Sequence, residues 1–415
     1  MILSDRICIP VPSAEHAGPE RMEEEMSDRK TILGVVAEYD PFHNGHAWHL
    51  SESRKAVCPD SVYIALSPCL KQRGELSMLS PFDRAACAVH EGADAVFLLP
   101  VLWTVRDAEH YAFGAVHMLA GLGISHLAFG AETPDLHLLD GIAGLLEDVP
   151  PRFTEMLNRQ LSGGKGYPAA LSAAVDDCMP GAGSVLSRPN NILAVCYLRV
   201  LRRMHSHIVP VVIPRRGSYH NPDIRPEAPS ASALRDSLFR GVYLPAFSSM
   251  PPFSADRVKA AFLDRRIPDP RKLDTLLISK LRTADLSGLP DLSEGLENAL
   301  KKAASVCSSR NQLLWQLSTR RYPGARISRL MAAALLDITR TRLESLPPPD
   351  RTLLLSIRKS SALSDRWKDL PVKIHTAAPE WKKAADPEDL AAWKLWAVCC
   401  GLPDSVPYSE KIYTE

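Results

Sequence analysis

Residues 32–50 read ILGVVAEYDPFHNGHAWHL, and this stretch decides how the rest of the chain is parsed. The apolar run up to Tyr39 has the character of a buried strand, Asp40-Pro41 breaks it, and the spacing predicts a helix from about Gly45 to Ala56. A helix N-terminus directly after a strand leaves backbone N–H groups without intrahelical partners and carries partial positive charge, so phosphates bind there readily. His43 and His46 flank Asn44 and Gly45 at that point. Gly45 lets backbone approach closely, and two imidazoles can donate hydrogen bonds to phosphate oxygens as charge builds during attack at phosphorus.

The His-x-Gly-His spacing at the end of a first strand is similar to the signature of the nucleotidyltransferase superfamily, whose members activate a carboxylate or phosphate with a nucleotide. Other readings stand beside it. His43, His46 and His49 could be metal ligands, although three-residue steps rotate around a helix and no acidic partner accompanies them. A surface turn with incidental histidines is a second alternative. Asp40 suits turn chemistry as well as magnesium ligation, and Trp48 and His49 fit helix packing better than catalysis.

Outward from this stretch, short β-type runs alternate with helical segments: SVYIALS at 61–67, a helix around 81–93, DAVFLLP at 94–100, a helix around 110–123 and HLAFG at 126–130. This recurrence indicates βαβ units and a parallel, Rossmann-like α/β sheet, whose ligands sit at the carboxyl ends of strands. Gly130 ends one such strand. A helical insertion at about 135–205 precedes the returning strand HIVPVVIPR at 207–215. The expected organisation is a disordered extension at 1–30, with Met26 as an alternative start, an ATP-binding catalytic domain at 31–245 and a mainly α-helical domain at 246–415.

Bulk properties exclude little. The 415 residues carry a net charge of +1, which rules out a uniformly basic polyanion binder and leaves room for a local basic face. Nine cysteines show neither disulfide spacing nor paired CxxC clusters, which fits a reducing cytoplasm. No window has the length of apolar sequence that a membrane span needs, so a soluble protein with no membrane partner is expected.

A second half-site lies far along the chain, in SASALRD at 230–236. Ser230, Ser232 and Arg235 at a helix start offer hydroxyls, N–H groups and a guanidinium to a triphosphate, while Ser232 alone reads equally as a helix cap. Arg215 and Arg216 are either site residues or solvated edge charges. In the helical half, Arg320, Arg321, Arg326 and Arg329 surround a tyrosine in a turn, and Arg340, Arg342, Arg358 and Lys359 follow. The mixture suits RNA backbone contact with stacking, although charge runs are usually solvated helix faces.

GVVAEYDPFHNGHAWHL, KQRGELSMLSPFDRAACAVHEGADAVFLLP, SRPNNILAVCYLRVL, RRGSYHNP, SASALR and STRRYPGARISRLM occur in this order over about residues 31–360. In them the chain resembles the bacterial tRNA(Met) cytidine acetate ligases. The resemblance implies ATP-dependent formation of acetyl-adenylate from acetate, then transfer of the acetyl group to the exocyclic amine of the wobble cytidine of elongator tRNA(Met), giving N4-acetylcytidine. It implies that Val36, Ala37, Glu38, Tyr39, Asp40, Pro41, Phe42, His43, Asn44, Gly45, His46, Ala47, Trp48 and His49 wrap the ATP, with His43 and His46 catalytic. Gly130, Asn190 or Asn191, Arg215, Ser232 and Arg235 would join the nucleotide site, Arg73 beside it would contact tRNA or cap its loop, and magnesium is inferred from ATP chemistry. The chain departs from the family pattern at Ser67-Pro68-Cys69, at Leu98 and at Asp40, which puts the acid substrate at issue more than ATP. The competing readings are an adenylyltransferase acting on a small cofactor precursor and a non-catalytic nucleotide- or RNA-binding relative.

Overall fold

A computed structural model describes residues 30–215, 230–292, 295–319, 322–359, 367–403, 405 and 412–415. Strands β1 (Ile32–Ala37), β2 (Ser61–Leu66), β3 (Ala95–Leu98), β4 (His126–Ala131) and β5 (Val209–Pro214) run parallel in the order β5-β4-β1-β2-β3. This is the expected α/β sheet. β2 and β3 are buried along their whole length, which is why they read as unbroken apolar runs.

Successive side chains serve opposite faces. Tyr63, Ala65, Phe97, Leu127 and Phe129 pack under the helix Ala108–Gly121 and the insertion helices, whereas Leu33, Val35, Val62, Ile64 and Leu98 pack against Leu50, Phe82, Trp393 and Trp396. The insertion comprises helices Leu136–Glu147, Pro151–Ser162, Tyr167–Cys178 and Pro189–Arg203, all between β4 and β5.

The C-terminal part adds three strands to its helices. The run RTLLLSI forms β6 (Arg351–Ile357), which pairs antiparallel with β3; β7 (Lys373–His375) and β8 (Tyr413–Thr414) pair with β6. Thr352 Oγ1 donates to the Leu98 carbonyl oxygen at 2.8 Å across that seam. The tail therefore extends the sheet beyond β3. Between β5 and β6 the expected helices are present, and a third core formed by Leu277, Leu281, Leu300, Ile327 and Met331 takes in Leu70, Val101, Leu102 and Val105 from the β2 and β3 ends.

The eight cysteines among the described residues are free thiols. Among those residues no helix is long and apolar enough to cross a membrane. The expected extension, apart from Lys30, lies outside the described residues, as do 216–229, Arg320 and Arg321.

Candidate active site

The strand-to-helix turn is held by unusual local geometry. Asp40-Pro41 is cis, Tyr39 has φ +49°, and the helix Asn44–Val57 starts from His43 in extended conformation. His43 Nδ1 accepts the Gly45 N–H at 3.1 Å, and His46 Nδ1 accepts the His43 N–H at 3.3 Å. The two rings stack, with centroids 3.6 Å apart. This is a capping box built from imidazoles in place of the usual hydroxyl and carboxylate.

Two chemical consequences follow. A Nδ1 that accepts a backbone N–H carries no proton itself, so a neutral ring holds its proton on Nε2, and both rings present an Nε2–H donor. Burial, reinforced by Arg215, pushes the His43 pKa down to about 3 and that of His49 to about 4. Burial, reinforced by Arg215 and by the neighbouring His43 and His49 rings that would repel a second imidazolium, holds His46 well below its ordinary value. All three rings are neutral near pH 7.

The helix terminus itself is less open than the sequence suggests. The Asn44 N–H donates to the Ser249 carbonyl at 2.9 Å, and the Gly45 N–H is taken by His43. Imidazole N–H groups and Arg215, rather than backbone amides at these two positions, supply the positive field. Arg215 follows β5, where its N–H donates to Ala131 O at 2.9 Å, and its charge depresses all three histidines. A Cβ at Gly130 would stand 3.5 Å from His49 Cδ2, an ordinary contact distance, so the His49 ring lies across the β4 end. His43, His46, His49, Gly130 and Arg215 thus come together from β1, β4 and β5.

Asp40 is buried and faces cations from two directions. Lys71 Nζ lies 3.2 Å from Oδ2, Arg235 Nη1 lies 3.7 Å away and donates to the Asp40 carbonyl at 2.6 Å, and Met78 N–H donates to Oδ1 at 2.7 Å. Burial raises its pKa, but the charges of Lys71, Arg235 and Arg84 outweigh burial and hold the carboxyl below its ordinary value. Of the two readings for Asp40, the structure supports turn chemistry. Arg235 also faces Glu75 Oε2 at 3.5 Å, so this guanidinium ties the helix Ala231–Phe239 to the β1 turn.

Ser230, and not Ser232, caps that helix, accepting the Ala233 N–H at 3.1 Å; exposed Ser232 meets Ser230 Oγ at 3.2 Å. Asn191 is fully buried, donating to Thr133 Oγ1 and Val185 O and accepting the Thr133 N–H. Half-buried Asn190, in the same first turn of the helix Pro189–Arg203, donates to Glu132 Oε1 at 2.6 Å.

The Ser67-Pro68-Cys69 departure forms a buried turn. Cys69 faces the core beside Leu66 and Phe82, Ser67 Oγ lies 3.3 Å from Tyr111 OH, and the Pro68 carbonyl accepts from Arg84 Nη2 at 2.6 Å. Leu98 is likewise core. Basic residues separate into two sets. Arg342 pairs with Asp386 and Glu388, and Arg358 donates to the Val89 carbonyl, so both serve the fold. Arg73, Arg326 and Arg329 stand half-buried near one another, where their charges interact.

Lys71 and Arg84 hold the β1 turn without a motif to announce them; only Lys71 and Glu75, four apart around a glycine in KQRGE, leave a local signal of pairing.

The neutral imidazoles give a pH prediction. A ring held below its ordinary 6.5 favours the folded state fully above that pH and loses this contribution as pH falls toward its folded value, about 4 for His49. Linkage sets at most about 1.4 kcal/mol per pH unit for each ring in that window. Glu75 is depressed to about 2, so its contribution is lost only at lower pH. Unfolding free energy from urea titrations is expected to fall between pH 6.5 and 4.5, and less steeply in His49→Gln. Equal slopes in the two proteins would contradict the buried neutral ring.

The HIGH Nucleotidyl Transferase family model matches residues 30–399. The tRNA(Met) cytidine acetate ligase of Acetivibrio thermocellus is 32% identical over 396 residues, covering 89% of this chain and 95% of that protein. That of Syntrophomonas wolfei is 34% identical over 324 residues, covering 75% and 78%. The apo crystal structure of Thermotoga maritima TmcAL superposes with a TM-score of 0.86 at 25% identity, covering 92% of this chain and 99% of that one, and TmcAL bound with alpha-thio ATP gives 0.84. With its paired imidazoles at the end of β1 and its match over nearly the whole chain, this protein belongs to the tRNA(Met) cytidine acetate ligase family of HIGH nucleotidyltransferases.

Proposed function

We propose that the protein activates acetate with ATP and acetylates the exocyclic amine of the wobble cytidine of elongator tRNA(Met). The observation that carries this reading is the pair of stacked, neutral imidazoles with Nε2–H donors beside Arg215 at the β1, β4 and β5 ends. An acetate oxygen attacks the α-phosphorus, the bond to the pyrophosphate oxygen breaks, and His43 and His46 stabilise the charge that develops on the phosphate oxygens. The N4 amine then attacks the acetyl carbon, AMP leaves, and one amine proton is lost. Positioning drives both steps, and no covalent enzyme intermediate is needed.

ATP is assigned to Val36 through His49, Gly130, Asn190, Arg215, Ser232 and Arg235. The hydrogen bonds of Asn191 give it the part of fixing the start of the helix Pro189–Arg203, on which Asn190 stands. tRNA is assigned to Arg73, Arg326 and Arg329, and to Arg320 and Arg321 of the same stretch of sequence. Magnesium would arrive on the ATP phosphates: among the described residues no three His, Cys, Asp or Glu side chains gather to hold a cation, and Asp40 is engaged by Lys71 and Arg235. A tRNA substrate places the reaction in the cytoplasm.

The test is incubation with ATP, labelled acetate and elongator tRNA(Met), followed by digestion of the RNA. Labelled N4-acetylcytidine is the expected product. Pyrophosphate release without it would favour another acid or an adenylyltransferase, and nucleotide binding without turnover would favour a non-catalytic relative.

A further inference from the structure

Arg106 lies on the loop after β3, outside every role assigned above. Its guanidinium rests 5.9 Å from the Trp103 ring, and its carbonyl accepts from Gln72 Nε2 at 2.6 Å. Gln72 N–H in turn donates to Glu38 Oε1 at 2.8 Å, at the end of β1. Arg106 is thereby tied to the catalytic turn through two hydrogen bonds.

Across from it stand Arg73, Arg326 and Arg329. The KQRGE loop is pressed onto the helix Gly324–Leu335: Gly74 has φ +72°, a Cβ there would lie 2.7 Å from the Ser328 carbonyl oxygen, and Ser328 Oγ donates to the Arg73 carbonyl. Arg326 Nη2 donates to the Asp291 carbonyl at 2.6 Å and its guanidinium stacks 5.5 Å from the Tyr322 ring. All four arginines are half-buried.

Among the described residues, hydrogen bonding leaves part of the Arg106 and Arg329 guanidinium groups unmatched. Asp107 and Asp291 are the carboxylates that act on Arg106 and Arg329. Asp107 is already engaged, capping the helix Ala108–Gly121 through the Glu109 and His110 N–H groups and meeting His110 Nδ1 at 2.8 Å. Arg106 Nη1 and Arg329 Nε are buried and have no hydrogen-bond partner among the described residues. Burial lowers both guanidinium pKa values, and the charge of Arg329 adds to that effect on Arg106 as those of Arg326 and Arg73 do on Arg329. Leaving charged donors buried and unmatched is costly, and planar guanidinium forks match phosphate oxygens.

Position selects the phosphate. In the order β4-β1-β2-β3, the proposed nucleotide residues Gly130 and Arg215 lie on the β4 side of the histidines, whereas Arg73 and Arg106 lie on the β2 and β3 side, against the helical half. We propose that Arg106, together with Arg73, Arg326 and Arg329, forms a cradle for one RNA phosphodiester adjoining the cytidine to be acetylated. This rests on the tRNA reading above and adds a fixed register to it. The cradle positions the amine at the acetyl-adenylate, so its loss acts on transfer and leaves activation alone.

The test uses the full chain and an anticodon stem-loop RNA of elongator tRNA(Met) with single neutral methylphosphonate linkages on either side of the target cytidine. Acetate-dependent ATP–pyrophosphate exchange needs no RNA and reports both activation and an intact fold. Arg106→Ala is expected to retain exchange and to transfer acetyl to the unmodified RNA about 10- to 100-fold more slowly, with Arg106→Lys between it and wild type. One of the two methylphosphonates is expected to slow the wild type by a similar factor and to add little to Arg106→Ala. Independent, multiplying losses at both linkages would overturn the cradle, as would wild-type transfer by Arg106→Ala. Equal damage to exchange would assign these arginines to ATP phosphates and also overturn it. A wild-type protein that exchanges but acetylates no RNA overturns the functional reading, and the cradle falls with it.

Discussion

Replacing His46 with alanine is expected to slow acetate-dependent ATP–pyrophosphate exchange by on the order of a hundredfold or more, the usual cost of losing one donor to developing transition-state charge. The ring is fixed by stacking on His43 and by the His43 N–H at its Nδ1, so its Nε2–H is aimed without rearrangement. A neutral donor suits a phosphate whose charge grows only in the transition state, and burial keeps the ring neutral. His46→Gln, which keeps an N–H donor, should recover part of the loss. An exchange rate for His46→Ala within a few-fold of wild type would remove the histidine from the mechanism.

Arg84→Met is expected to lower folding stability by about 3–5 kcal/mol, the range for removing one partner from a buried charged network. Arg84 is completely buried, yet it donates to the carbonyls of Glu38 at 2.6 Å, Ser67 at 3.0 Å, Pro68 at 2.6 Å and Leu79 at 3.3 Å. It gathers the ends of β1 and β2 and the loop after β2 around one cation. Methionine fills similar space and leaves four buried acceptors without that donor. Urea denaturation of the two proteins measures the difference, and a loss below about 1 kcal/mol would show that the carbonyls find other donors.

How far the fold was legible depends on the range of the interactions involved. β1 through β5 and the first helix were readable because unbroken apolar runs and three-to-four spacing are local consequences of burial on a parallel sheet. The histidine pair was readable because its cap is made within four residues, His43 to His46. RTLLLSI at 351–357 could be seen as an apolar run, but its antiparallel place beside β3 is a contact made across more than 250 positions, as between Leu98 and Thr352. Nothing near Arg84 in the chain reveals the carbonyls of Glu38 and Ser67 to which it donates.

The same distinction separates the basic residues. STRRYPGARISRL and TRTRL look equally suited to RNA, yet Arg342 is matched by Asp386 and Glu388 while Arg329 is left with a buried nitrogen that has no partner among the described residues. The linear sequence shows only that both segments are basic. Ion pairing across dozens to hundreds of residues decides which charge remains for a ligand.

By itself, the sequence determined the α/β class, the strand-to-helix turn that carries His43 and His46, and the membership of residues 31 to 360 in one family, because each is written in local periodicity or in motif order. Only the tertiary structure decided that Asp40 answers Lys71 and Arg235, that Pro68 and Cys69 form a buried turn around Arg84, that the C-terminal tail extends the sheet beyond β3, and that Arg106 faces Arg329. Those outcomes turn on burial and on charges brought together from distant segments, and in a low-dielectric interior it is the surrounding partners that give a side chain its chemistry.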